Sequence, residues 1–150
     1  MNERERAVEL FKEGFNCSQS VFVAFAHRFD IDEDTAKKIS AGLGGGIGRL
    51  REVCGAVSGA AMVIGSLASA TEGADAENKQ KNYELVREFA KRFTEENGSI
   101  ICRELLGLDK ETKETAKPES RTAEYYKKRP CVELVESAAK ILEELIEENK

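Results

Sequence analysis

The chain has no Trp, one His, two Pro and only 7% aromatic residues in 150 positions. Proteins that stack nucleic-acid bases need aromatic platforms, and few are present. Basic residues are outnumbered, 23 to 28, for a net charge of -5, which works against any phosphate-rich partner. Nucleic acid is therefore excluded as a partner. The longest apolar stretch, Ala56 to Ala70, is interrupted by Gly59, Gly65 and Ser66 and falls short of the roughly 20 residues a membrane span needs. It reads as a buried helix, with no membrane insertion. The opening "MNERERAVELF" mixes both charge signs and lacks the apolar core of a signal peptide, so the expected location is cytoplasmic.

Cysteines in that compartment rest mainly as thiols and are reactive, metal-binding or buried rather than permanent cross-links. The four present, Cys17, Cys54, Cys102 and Cys131, include no Cys-x-x-Cys pair, and Cys-x-x-Cys-His is also missing. Haem attachment has no support. His27, the lone histidine, follows Cys17 by ten residues, about 15 Å along an unbroken helix. It is out of reach as that thiol's base, which disfavours a cysteine-protease mechanism. A surface or packing role is expected for it.

Apolar residues recur at helical spacing, and no stretch alternates with the two-residue period of a strand. The fold is expected to be all-α: one domain, residues 1–150, a bundle of about six to seven helices with a Gly-rich loop before the central helix. A first helix spans about 2–13 and stops at Gly14. Asn16 caps a second, with Ser18, Phe22, Phe25 and Phe29 along one side, and Asp32 starts a third. "AGLGGGIGRL", residues 41–50, holds five glycines in seven positions and cannot be regular structure. No strand precedes it and no Gly-Lys-Ser/Thr follows, so it is not a phosphate cradle.

A fourth helix runs from near Cys54 to Ala70. The fifth, about Asp75 to Glu96, carries an apolar stripe of Tyr83, Val86, Phe89, Ala90 and Phe93. Gly98 ends it, and Ser99 is placed to cap a short helix holding Ile100, Ile101, Cys102, Leu105 and Leu106. Residues 109–129 are polar without a clear period, a length that marks a functional or mobile connection. Tyr125 and Tyr126 beside it either fold over a site or anchor the loop. Pro130 stands where a first helical residue should, before a last amphipathic helix through Leu134, Val135, Ala138, Ile141, Leu142 and Leu145.

Each cysteine thus falls in the first turn of a helix, where unpaired N–H groups and the dipole favour thiolate. Arg49 and Arg51 beside Cys54 would add to that, although the reading as solvated arginines is at least as good for Arg51. The plainer alternative for the sulfurs is small apolar filler, a common use of free cysteine. The small run "VCGAVSGAAMVIG", residues 53–65, puts Gly55 and Gly59 one turn apart, so neighbouring backbone can approach closely. Each glycine inside a helix costs about 1 kcal/mol relative to alanine, a cost that points to a packing or site requirement. Close approach would let other helix starts bring their sulfurs to disulfide distance, or around one metal ion.

"FNCSQSVF" at 15–22, "GLGGGIGRLREVCGAVSGAAMVIG" at 42–65, "GSIICRELLG" at 98–107 and "CVELVESAAKIL" at 131–142 resemble the redox-active protein family named for its C_GCAxxG_C_C pattern. The family label has Gly-Cys-Ala where this chain has Val53-Cys54-Gly55. The resemblance implies a helical protein, four characteristic cysteines, a redox role, and genes often near transporters, hence a functional link to a transporter.

The expected function is thiol–disulfide exchange or electron transfer, with a redox partner protein or a small thiol or disulfide as partner, as in a thiol-disulfide oxidoreductase. Cys17, Cys54, Cys102 and Cys131 are the candidate catalytic residues. Cys54 is expected to attack from an exposed, activated position, Cys17 to resolve, and Cys102 with Cys131 to form a second pair. Sequence leaves all three pairings open. No cofactor is assured. One alternative is a binder of zinc or an iron–sulfur cluster through the four thiolates, and another is a structural helical interaction module.

Overall fold

The computed structural model describes residues 1–109 and 113–150, and among these it is all-α with eight helices. α1 (Glu3–Lys12) and α2 (Cys17–Ala24) each start from an asparagine capping box. Asn2 and Asn16 accept from the backbone N–H three residues on, and Glu5 and Gln19 reach back to the cap. α2 then tightens into i→i+3 bonds at Phe25, Arg28 and Phe29, forming the short turn Ala26–Arg28. The expected single helix through Phe29 is therefore broken. His27, on that turn, is exposed and its Nε2 lies 2.9 Å from the carboxylate of the buried Glu3.

α3 (Glu33–Ser40), capped by Asp32 as its sequence predicts, runs into the turn Ala41–Leu43 and then the glycine loop. α4 (Gly55–Leu67) is central and α5 (Ala76–Asn97) the longest. α6 (Cys102–Leu105) and α7 (Ala123–Lys128) are short, and α8 (Cys131–Glu148) closes the chain. No helix of the described residues is long and apolar enough to cross a membrane.

One core cluster unites the elements. α8 buries Leu134, Val135, Ala138, Ile141, Leu142 and Leu145 against α1, α2, α4 and α5. α5 contributes less than its stripe predicts. Phe89 and Phe93 are buried and stacked, but Tyr83 lies in the largely exposed first half. α7 was not legible, because six residues offer too little period to separate from a polar loop. Its start is fixed by Thr122, whose hydroxyl accepts from the Tyr125 N–H.

The tightest contact joins α2 to α4. A Cβ built on Gly59 would lie 2.8 Å from the Ser18 carbonyl oxygen, and one on Gly55 would lie 3.1 Å from both the Ser18 nitrogen and the Leu43 oxygen. Both obstacles are backbone and cannot swing aside. A Cβ on Gly65, at the far end of α4, meets only the Asn82 amide nitrogen at 4.0 Å. Gly59→Ala is therefore expected to destabilise by about 1–3 kcal/mol through overpacking despite its better helix propensity. Gly65→Ala should stabilise by up to about 1 kcal/mol. Urea denaturation of the two variants checks the opposite signs.

Candidate functional site

Three cysteines, Cys17, Cys102 and Cys131, are the first residues of α2, α6 and α8, and Cys54 is the N-cap of α4. The expected placement at helix starts holds for all four. Two backbone devices bring these starts together. The first is the glycine contact, which also sets a Gly55 Cβ position 3.3 Å from the Cys17 Cβ. The second is a stitch between the approaches to α4 and α6. The Cys54 N–H donates to the Ile100 carbonyl at 2.8 Å, the Cys102 N–H to the Glu52 carbonyl at 2.6 Å, and Val53 and Ile101 form an isolated antiparallel bridge.

That stitch corrects the start of the short helix. Ile100 and Ile101 are held in the bridge, so the helix begins at Cys102. Ser99 instead accepts from the Ile101 N–H and donates to Glu104. Pro130 is the residue before α8 rather than its first. No sequence signal announces a two-strand stitch one bridge long.

All four sulfurs line one cavity of about 320 Å³, and all four are free thiols. Cys17 and Cys131 act chiefly on one another: the interaction raises Cys17 well above the usual thiol range and, with the charges of Arg129, Arg121 and Arg51, lowers Cys131. Cys131 is thus the one of the four whose surroundings favour the thiolate. Burial pushes Cys54 up to about 12. It also raises Cys102, although the Arg51 guanidinium 3.6 Å away opposes the rise. The expected exposed and activated Cys54 is thus a buried sulfur, 3% accessible, because desolvation outweighs the helix start.

The glycine loop has an unusual backbone. Gly45, Gly46, Ile47, Gly48 and Arg49 in succession, and Arg51 after them, have φ between 54° and 72°. Non-glycine residues rarely adopt this left-handed region, and a β-branched Ile there is a genuine outlier. Each costs roughly 1–2 kcal/mol. The strain is held by the arginine side chains. Arg51, 7% accessible, donates to Glu114 at 3.0 Å, and Arg49 donates to Glu114 and to the Thr115 and Lys117 carbonyls. Neither is the solvated surface residue considered from sequence, and Arg51 serves Cys102 where an effect on Cys54 was expected. The loop is thereby clamped to residues 114–117 across the cavity.

The segment 113–129 forms the cavity's outer wall. Arg121 donates to the Phe11 and Phe15 carbonyls, Tyr126 packs edge-on against Phe11, and Tyr125 faces the cavity. The tyrosines divide the two expected roles, Tyr126 as anchor and Tyr125 as cover. Burial, and then the charge of Cys131, raises the Tyr125 hydroxyl to about 12. Four thiols are a fitting donor set for zinc or a cluster. Among the described residues, however, no group of three or more Cys, His, Asp or Glu side chains is arranged to hold a metal ion.

A family model described as "Putative redox-active protein (C_GCAxxG_C_C)" matches residues 15–145. The chain is also similar to an "Uncharacterized protein" of Archaeoglobus fulgidus, 29% identical over 147 residues, covering 92% of this chain and 89% of that protein. No solved structure matches.

Alkylation of the reduced native protein should follow this electrostatic order. Near neutral pH Cys131 is expected to react first, and Cys54 should resist until the pH approaches about 12. In denaturant the four should react alike, as peptide mapping by mass spectrometry would show.

Proposed function

This chain belongs to the C_GCAxxG_C_C redox-active family, and on that premise we propose that it performs thiol–disulfide exchange with Cys131 as attacking thiolate and Cys17 as resolving thiol. The convergence of Cys17 and Cys131 on one cavity, with Arg129, Arg121 and Arg51 favouring the Cys131 thiolate, carries the reading. A thiolate is the attacking species in exchange, and the nearer its pKa to ambient pH the better it serves. A resolving thiol must already lie within bonding reach.

In the reaction, the Cys131 thiolate attacks one sulfur of R–S–S–R. A Cys131–S–S–R bond forms, the substrate S–S bond breaks, and R–S⁻ leaves. Cys17, giving up its proton to the departing thiolate, then attacks the Cys131 sulfur and expels the second R–S⁻. The substrate gains two electrons and becomes two thiols, while the cysteine pair loses two and becomes a disulfide. An external dithiol acting by the reverse steps restores the pair. Cys54 and Cys102, kept as thiols by burial, line the same cavity beside the reacting pair. Arg51 beside Cys102 makes that sulfur the easier of the two to ionise.

Cys17→Ser should trap the mixed disulfide on Cys131, and Cys131→Ser should stop the first step, slowing exchange by more than about a hundredfold if no other thiol substitutes. Cys54→Ser should leave the first step intact. Mass spectrometry of reduced protein mixed with a small disulfide reads all three. A mixed disulfide on Cys54 in the wild type would contradict the assignment. Metal analysis of anaerobically purified protein supplies a second check, since stoichiometric zinc or iron would replace exchange with a binding role.

A further inference from the structure

Resting on the exchange reading above, we propose that the sulfur cavity takes a small disulfide bearing carboxylates, and that Arg121 is the residue that anchors a carboxylate. Size is the first ground. A space of about 320 Å³ sits at the lower end of small-ligand sites, enough for a compact molecule and too small for a folded partner's loop.

Charge is the second ground. The chain as a whole is negative by five, yet the charged residues on the cavity wall are Arg49, Arg51, Arg121 and Arg129 against Glu119 alone. A cleft of one sign inside a low-dielectric wall concentrates ions of the other sign. Most of this positive charge is already matched. Arg49 and Arg51 share Glu114, and Arg129 pairs with Glu119. Arg121 differs, having no carboxylate partner among the described residues.

Arg121 is also rigidly placed. Its guanidinium donates to the Phe11 carbonyl at 2.9 Å and the Phe15 carbonyl at 3.0 Å, and reaches the Tyr126 hydroxyl at 3.5 Å. It lies over the Phe11 ring at 4.2 Å and the Tyr125 ring at 5.1 Å. Those bonds engage three of a guanidinium's five N–H donors, leaving two for a ligand. A cation fixed in advance on an arginine fork suits a carboxylate. The apolar part of the wall, Leu105, Leu106, Pro118 and Leu134, suits the methylene and sulfur atoms between the substrate's charged ends.

The test compares three disulfides of similar size: dithiodiglycolate, a dianion; hydroxyethyl disulfide, neutral; and cystamine, a dication. The readout is the rate at which reduced protein forms the Cys17–Cys131 bond, each rate divided by that of free cysteine with the same probe. The dianion is expected to exceed the neutral probe by about tenfold, the scale of one charge-assisted contact, and cystamine to be slowest. Added salt should shrink this order in the unmutated protein. Read as the ratio of dianion to neutral-probe rates within each variant, so that a change in Cys131 ionisation affects both alike, Arg121→Gln should erase the dianion's advantage and Arg121→Lys should keep part of it. Equal normalised rates for the three probes, or an advantage that survives Arg121→Gln, would overturn the anchor while leaving exchange standing. Failure of every probe to join the pair would overturn the exchange reading itself.

Discussion

The structure depends on how closely the start of α2 can approach α4. With Ser18 backbone 2.8–3.3 Å from where Cβ atoms on Gly59 and Gly55 would stand, any larger residue at either position would push the helices apart. Two interior glycines each cost about 1 kcal/mol in helix propensity, and the buried Ser18 hydroxyl has no hydrogen-bond partner, a further loss of roughly 1–3 kcal/mol. The chain carries these costs where the cysteine-bearing starts of α2 and α4 meet. Small size, rather than any chemistry of the small residues, is what the position requires.

From that contact the rest of the site follows by geometry. The stitch between residues 51–54 and 100–103 adds the Cys102 helix beside Cys54, and α8, packed on both α1 and α2, brings Cys131 to Cys17. The helix starts supply favourable dipoles, but burial is the largest influence on Cys54 and Cys102, and the neighbouring Cys131 on Cys17. Cys131 alone is lowered, by its interaction with Cys17 and by the charges of Arg129, Arg121 and Arg51. The strained loop between α3 and α4 fits the same logic. Its left-handed residues aim Arg49 and Arg51 inward, and Glu114 holds both. Strain of this kind concentrates where a site must be held in one shape.

Much of this was legible in the chain. The caps at Asn16 and Asp32, the breaks at Gly14 and Gly98, the apolar face of α8 and the location of all four cysteines at helix starts follow from local rules that tertiary packing did not override. What escaped were long-range matters. The break after Ala24 comes from a local tightening that no punctuating residue marks. The exposed first half of α5 carries Tyr83 at helical spacing, and spacing alone cannot say where a neighbour ends. The sulfur pairing depends on which helix starts face one another, and the ranking of the thiols depends on burial, neither of which a sequence period encodes. The Val53–Ile101 bridge is likewise too short to leave a pattern.

The most direct measurement of the central claim is an absorbance titration of thiolate in the reduced native protein and in a Cys17→Ala variant. One thiol should ionise at lower pH in the unmutated native protein than the thiols of the unfolded chain do, and that ionisation should move upward when the Cys17 sulfur is removed. Four native thiols titrating at or above the unfolded value, or a low ionisation that Cys17→Ala leaves in place, would contradict the pairing of Cys17 with Cys131 on which the account is built.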